Sequence, residues 1–123
     1  VKKFELARPG KLRDTLIKAV LNGRKTATSS LYDEWVINNE ALPEVGEEQE
    51  LVNSQQEAIG IIKIVDVRKI RLDEIDMAIA ESEGEGYASV LEWRMSHEKF
   101  WSPITVNDDT IVVVEHFELI NQL

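Results

Sequence analysis

The 123 residues, 43% hydrophobic and 30% charged, are enough for one core and too few for two ordinary domains, so a single domain over 1–123 is expected. No run approaches the roughly 18 apolar residues of a membrane span, the start Val1-Lys2-Lys3-Phe4-Glu5 lacks the apolar run of a signal peptide, and the absence of cysteine removes disulfides, thiolate zinc sites and thiol nucleophiles. A net charge of −9 argues against indiscriminate binding to a polyanion, although residues 1–25 carry eight basic against two acidic side chains and the remainder six against twenty-one, which reads as ordinary solvated surface or else as a basic rim on an acidic body. The expectation is a cytoplasmic protein with no membrane partner. Two histidines, His97 and His116, are too few for a histidine-rich metal site, and no metal or cofactor is expected.

No internal repeat, low-complexity tract or linker interrupts the chain. From Lys11 to Leu21, Leu12, Leu16, Ala19 and Val20 recur at three- and four-residue spacing, which predicts an amphipathic helix ended by Asn22-Gly23. Arg24 to Ser30 then reads as a loop or turn, with Ser29-Ser30 as an N-cap pair for a short helix over Leu31–Asn39. Pro43 and Gly46 mark a further loop. Glu50–Asn53 and Ala58–Leu72 read as strands of a hairpin around Ser54-Gln55-Gln56, the second β-branched on both faces, as suits a strand buried on both sides or wrapped in a barrel. Asp73 is placed to cap a helix containing Ile75, Ile79 and Ala80, which breaks at Gly84 and Gly86. The Ser89-Val-Leu-Glu92 capping box opens another helix, with Val90, Trp93, Arg94, His97 and Trp101 on one face. Thr110–Leu119 is a closing strand. This order fits an α+β domain with mostly antiparallel pairing.

Three segments combine reactive side chains with irregular backbone. In Gly23-Arg24-Lys25-Thr26-Ala27-Thr28-Ser29-Ser30 an amine and several hydroxyls crowd one turn; a desolvated lysine can deprotonate a threonine, and the same composition also suits a turn that caps the next element. In Glu81-Ser-Glu83-Gly-Glu85-Gly86 clustered acids raise one another's pKa, which makes a general acid or base, or a solvated acidic loop. The spacing is not that of a calcium loop. Trp93, Arg94, His97 and Trp101 can stack on a planar base and bond its edge, or serve as core.

Taken together, Gly23-Arg-Lys25-Thr-Ala-Thr28-Ser, Leu42-Pro-Glu-Val-Gly46, Glu83-Gly-Glu-Gly86 with Leu91-Glu-Trp93-Arg94 and His97-x-x-Phe100, and Val113-Val-Glu115-x-Phe117 resemble the ASCH domain family, in particular its bacterial YhfF-type branch, from about Phe4 to Ile120. The resemblance implies a PUA-like fold, a small β-barrel of mostly antiparallel strands flanked by helices, with a cleft between barrel and helices. It also implies two alternative functions. One is an amidohydrolase removing the acetyl group from an acetylated cytidine-type base with a Lys-Thr-Glu site. The other is an RNA-binding module, or a ribonuclease, whose partner is single-stranded RNA rather than a nucleoside. The catalytic residues so implied are Lys25, Thr28 and a glutamate, Glu85 first and Glu83 second; Arg24, Thr26, Ser29, Trp93, Arg94, His97 and Glu115 are the implied substrate-binding set. Tyr87 stands where the family pattern has Asp, and the short Ser102–Asp109 crossing to the last strand implies a more open cleft.

Three spatial expectations follow. Trp93 and His97 pack inward from their helix. Lys25, Thr28 and Glu83 or Glu85, some 55 residues apart, converge at one mouth. Glu115, by period two, lies in the apolar row Ile111, Val113, Phe117, Leu119, where it needs Lys25, Arg24 or a ring N–H as partner.

Overall fold

Helix α1 (Lys11–Leu21) forms where the spacing predicts it and buries Leu16, Ile17, Ala19 and Val20, together with Arg13. In the computed structural model, which describes residues 1–123, it follows a two-residue strand β1 (Lys3–Phe4) and precedes strand β2 (Ala27–Leu31) and helix α2 (Tyr32–Ile37). The hairpin strands are β3 (Glu48–Val52) and β4 (Ala58–Arg71); a 3-10 turn (Leu72–Glu74), helices α3 (Met77–Ser82) and α4 (Val90–Trp101) and strand β5 (Ile111–Gln122) complete the chain. Helix α4 carries its expected cap: the Ser89 hydroxyl accepts from Glu92 N–H, and the Glu92 carboxylate accepts from Ala88 N–H rather than from Ser89.

Several expectations are corrected. Arg24–Ser30 is not all loop, because Ala27–Leu31 pairs antiparallel with β5, from Ala27 opposite His116 to Leu31 opposite Val112. Ser29 and Ser30 therefore cap nothing; α2 begins after Leu31 with no side-chain cap. Asp73 sits in the 3-10 turn bonded to Arg71, and Asp76, whose carboxylate accepts from Ile79 N–H, is the true cap of α3, since Ile75 is in extended conformation and blocks an earlier start. Strand β4 is not buried on both faces: Gly60, Ile62 and Ile64 are inside, whereas Val65 is exposed. The doubly buried strand is β5, where Val112 through Glu115 are all inside.

The five strands form one sheet in the order β1-β3-β4-β5-β2, with β1 parallel to β3 and every other pair antiparallel. The α+β class holds, but the expected barrel does not close. Closure needs the edges to hydrogen-bond; β1 is two residues long, and β2 gives way to α2 at Tyr32. Residues from both edges, Lys2 to Ala7 and Thr28 to Ser30, nevertheless line one cavity, so the sheet curls and the unclosed seam is an opening. One apolar cluster lies under α3 and α4 and includes Trp93, Trp101, Val112 and Val114; the other lies under α1 and includes Phe4, Leu51, Ile64 and Phe117. No helix is long and apolar enough to cross a membrane.

Candidate active site

The cluster begins with backbone. After α1, Lys25 N–H donates to Ala19 C=O (3.0 Å) and Thr26 N–H to Ser82 C=O (2.7 Å), which pins the strand-entry segment to the end of α3. Gly84 makes this approach possible. It adopts φ +70°, and a Cβ there would clash with the Arg24 carbonyl group. Segments more than 50 residues apart are thus held in contact, and their side chains meet.

The Lys25 side chain is almost fully buried. Its Nζ donates to the carbonyl oxygens of Ala27 (2.9 Å) and Glu83 (3.3 Å) and stands 3.7 Å from Glu83 Oε1 and 3.7 Å from Glu85 Oε2. Four oxygen neighbours are the surroundings of an ammonium. The Ala27 carbonyl that it holds is one peptide bond from Thr28.

The two carboxyls differ. Glu83, 1% exposed, accepts at Oε2 from Trp93 Nε1 (2.6 Å) and the Ser29 hydroxyl (2.8 Å), and its Oε1 lies 3.3 Å from His97 Nε2. His97 Nδ1 faces the Trp93 carbonyl at 2.8 Å, an oxygen that only accepts, so Nδ1 carries a proton. Burial opposes ionisation of Glu83, yet the His97 ring, the Lys25 ammonium and the Trp93 N–H outweigh it and hold the carboxyl below its ordinary range. Glu85 is less enclosed and pairs with Lys25 at 3.7 Å; burial pushes it above the ordinary range, with Lys25 offsetting in part and Glu83 adding to the rise. Tyr87, also raised by burial, to about 12, stays a phenol and donates to Ser96 Oγ. The two carboxyls are thus shifted in opposite directions, Glu83 down and Glu85 up.

A cavity of about 460 Å³ opens beside this cluster and is lined by Lys25, Thr28, Ser29, Glu83, Glu85 and His97 among others. Trp93 and His97 pack inward as expected: Trp93 is fully buried and stacks on the His97 ring with centroids 4.0 Å apart. Trp93 and Trp101 are core, and neither lines the cavity. Besides Trp93, three further residues of the expected binding set lie elsewhere. Arg24 bonds Asn22, Thr26 bonds the Ser82 carbonyl, and Arg94 pairs with Glu98 and Asp108. Glu115 lines the cavity but meets none of its expected partners; its carboxylate has no hydrogen-bond or ion-pair partner in the protein, although it is only 6% exposed.

Among the cavity residues that sequence reading missed are Trp35 and Gln49. For Gln49 a signal existed: it alternates with the buried Leu51, a polar residue in an apolar row, but starting the strand at Glu50 left it out. Trp35 carries no such signal, because its indole is placed by a bond to the Ser30 hydroxyl (2.9 Å) that exists only once β2 is a strand.

The chain matches the ASCH domain family model over residues 4–121. Among solved structures it is similar to an ASCH domain from Lactobacillus crispatus, at 28% identity over 98% of this chain and 80% of that one, with a TM-score of 0.87. It is also similar to a protein from Enterococcus faecalis, at 22% identity over 99% and 77% of the two chains, TM-score 0.89. A ZmASCH variant from Zymomonas mobilis, at 10% identity over 89% and 69%, TM-score 0.58, shares the fold. Comparison with curated proteins returns no match. Family model and fold agree over nearly the whole length: the chain belongs to the ASCH domain family.

Proposed function

We propose that the protein is an amidohydrolase that removes the acyl group from an acylated, cytidine-type base of a nucleoside. The observation that carries this reading is the Lys25 ammonium held 3.7 Å from both Glu83 and Glu85, two carboxyls shifted in opposite directions, at the wall of a cavity of about 460 Å³. In the proposed reaction the Thr28 hydroxyl, which lines the same cavity from the face of β2 opposite to Ser29, attacks the acyl carbon and its proton passes by way of water to Glu85. The Lys25 ammonium stabilises the oxyanion, and Glu85 returns the proton to the amine as the C–N bond breaks. Water then hydrolyses the Thr28 ester, releasing the carboxylic acid. Lys25 as the base that deprotonates Thr28 is the less suitable role, because all its near neighbours are acceptors of an ammonium's protons.

The RNA-binding alternative draws less support. Of the eight basic side chains in residues 1–25, Arg13 and Lys25 are buried, with Arg13 donating to the Ala7 and Asn53 carbonyls.

The test is a screen of N-acylated nucleosides, with release of the free amine followed chromatographically. N4-acetylcytidine is expected to be turned over, Thr28→Val and Lys25→Met to abolish turnover, and Glu85→Gln to lower kcat by about 10²–10⁴-fold. Absence of turnover of every N-acyl nucleoside by the folded protein overturns the reading.

A further inference from the structure

Glu115 is the one carboxylate of the cavity that is nine-tenths buried and answered by no protein group. Its surroundings define a second end of the cavity. Along β5, Val113, Glu115 and Phe117 project to one side of the sheet, opposite to Val112 and Val114. Thr28 is the direct cross-strand partner of Glu115 and Ser30 that of Val113, so both hydroxyls stand on the Glu115 side. Ser29 projects to the other side, where it meets Glu83. The Trp35 indole is tied to Ser30 and lines the same cavity, which places an aromatic ring at a residue two register pairs from Glu115 and on the same side of the sheet. Gln49 is nearly buried there too; its amide N–H donates to Glu47 Oε2 (2.6 Å), leaving its carbonyl oxygen without a protein donor.

These groups select a ligand chemistry. A carboxyl open only to the cavity and an amide carbonyl with no protein donor suit a ligand with N–H donors, and an aromatic ring suits a planar one. Six carboxylates and three ammonium groups line the cavity, and one of those ammoniums, Lys25, already faces Glu83 and Glu85, so an anionic or phosphorylated ligand is disfavoured. We propose that Glu115 and Trp35 form a base-recognition subsite, in which a planar nitrogen heterocycle stacks on Trp35 and presents to Glu115 an N–H donor beside an acceptor on one edge. The proposal deepens the hydrolase reading and rests on it only for the acyl group. A cytosine-type edge fits, with an exocyclic amine beside a ring nitrogen, and an N-acylated amine keeps the one N–H that is needed. The acyl group would then lie near Thr28, across the strand pair from Glu115.

The carboxyl is in a state to do this. Burial raises Glu115 from its ordinary value to about 7, Lys2 of the N-terminal segment opposing the rise and Glu47 before β3 and Glu40 after α2 adding to it. As the neutral acid it donates its O–H to the ring nitrogen and accepts from the amine; as the carboxylate it repels the ring nitrogen's lone pair. Binding of such an edge should weaken as pH rises through about 7.

The test measures binding of cytidine and of N4,N4-dimethylcytidine, which lacks the N–H, by calorimetry with the full chain. Cytidine is expected to bind at least about tenfold tighter than the dimethyl compound at pH 6 and to lose most of that advantage at pH 8.5. Glu115→Gln, whose amide also offers one donor and one acceptor, keeps the preference without the pH dependence. Glu115→Leu, which puts an apolar side chain in an apolar row and should fold, abolishes it, and Trp35→Ala weakens binding of both compounds about tenfold. Wild-type protein that does not bind cytidine at millimolar concentration, or a Glu115→Leu variant that binds it as wild type does, overturns the subsite. Hydrolysis of N4-acetylcytidine unchanged in Glu115→Leu overturns the subsite while the hydrolase reading stands. Glu115-dependent cytidine binding without turnover of any acylated nucleoside supports the subsite and sinks the hydrolase reading.

Discussion

Glu115 and Glu83 show how one residue type takes opposite roles within one cavity. Glu83 collects Trp93, Ser29, His97 and Lys25 around two oxygens, which hold its pKa below the ordinary range; Glu115 has no hydrogen-bond or ion-pair partner, and burial raises its pKa to about 7. The difference has a stability consequence with a definite sign. At low pH the Glu115 carboxyl is neutral in both folded and unfolded chains and costs nothing. As pH rises from 4.5, the ordinary value, to about 7, the unfolded chain releases the proton while the folded chain retains it, so Glu115 progressively destabilises the fold and the cost is constant above that range. The shift corresponds to about 3 kcal/mol. Glu115→Gln is therefore expected to gain up to about 3 kcal/mol over wild type at pH 8 and almost nothing at pH 4, as read from denaturant unfolding at the two pH values. An equal gain at both would mean that the carboxyl is not the source.

At the scale of elements, the site depends on the meeting of the α1–β2 connection with the α3–α4 connection, and that meeting depends on Gly84. Its positive φ is unfavourable for a side chain, and a Cβ would strike the Arg24 and Lys25 backbone. Gly84→Ala should therefore cost about 3 kcal/mol or more, seen as a large fall in Tm. It should also separate Lys25 from Glu83, which removes any activity that depends on that pair even below the melting range. A Gly84→Ala protein of wild-type stability and activity would show that the two connections are not coupled. The same level explains why β2 escaped sequence reading. Thr28-Ser29-Ser30 has the composition of a cap, and its extended conformation is fixed by five register pairs with β5, a strand some 85 residues away.

For the whole molecule, charge and curvature act together. The sheet curls without closing, and the seam between β1 and β2 opens on a cavity richer in carboxylates than in ammonium groups, in a chain of net charge −9. The basic N-terminal segment loses Arg13 and Lys25 to the interior. A single-stranded oligoribonucleotide should accordingly bind with a Kd weaker than about 10⁻⁴ M at physiological salt, measured by fluorescence anisotropy. Tight binding with a steep salt dependence would favour the RNA-binding alternative.

What the sequence determined by itself is local and periodic. The α1 repeat and its Asn22-Gly23 stop, the Ser89 cap, the inward face of Trp93 and His97, and the β5 run are each written within a dozen residues, because side-chain spacing and capping act over one or two turns. The motifs that resemble the ASCH family pointed to the meeting of Lys25 with Glu83 and Glu85, which composition alone does not give. Tertiary structure alone decided that β1 and β2 are strands, that the sheet stays open, that Ser29 rather than Thr28 meets Glu83, and that Glu115 faces a cavity with no partner. Each of these depends on which segments lie side by side across the sheet, and a strand of two or five residues has no conformation of its own until a distant partner supplies its hydrogen bonds.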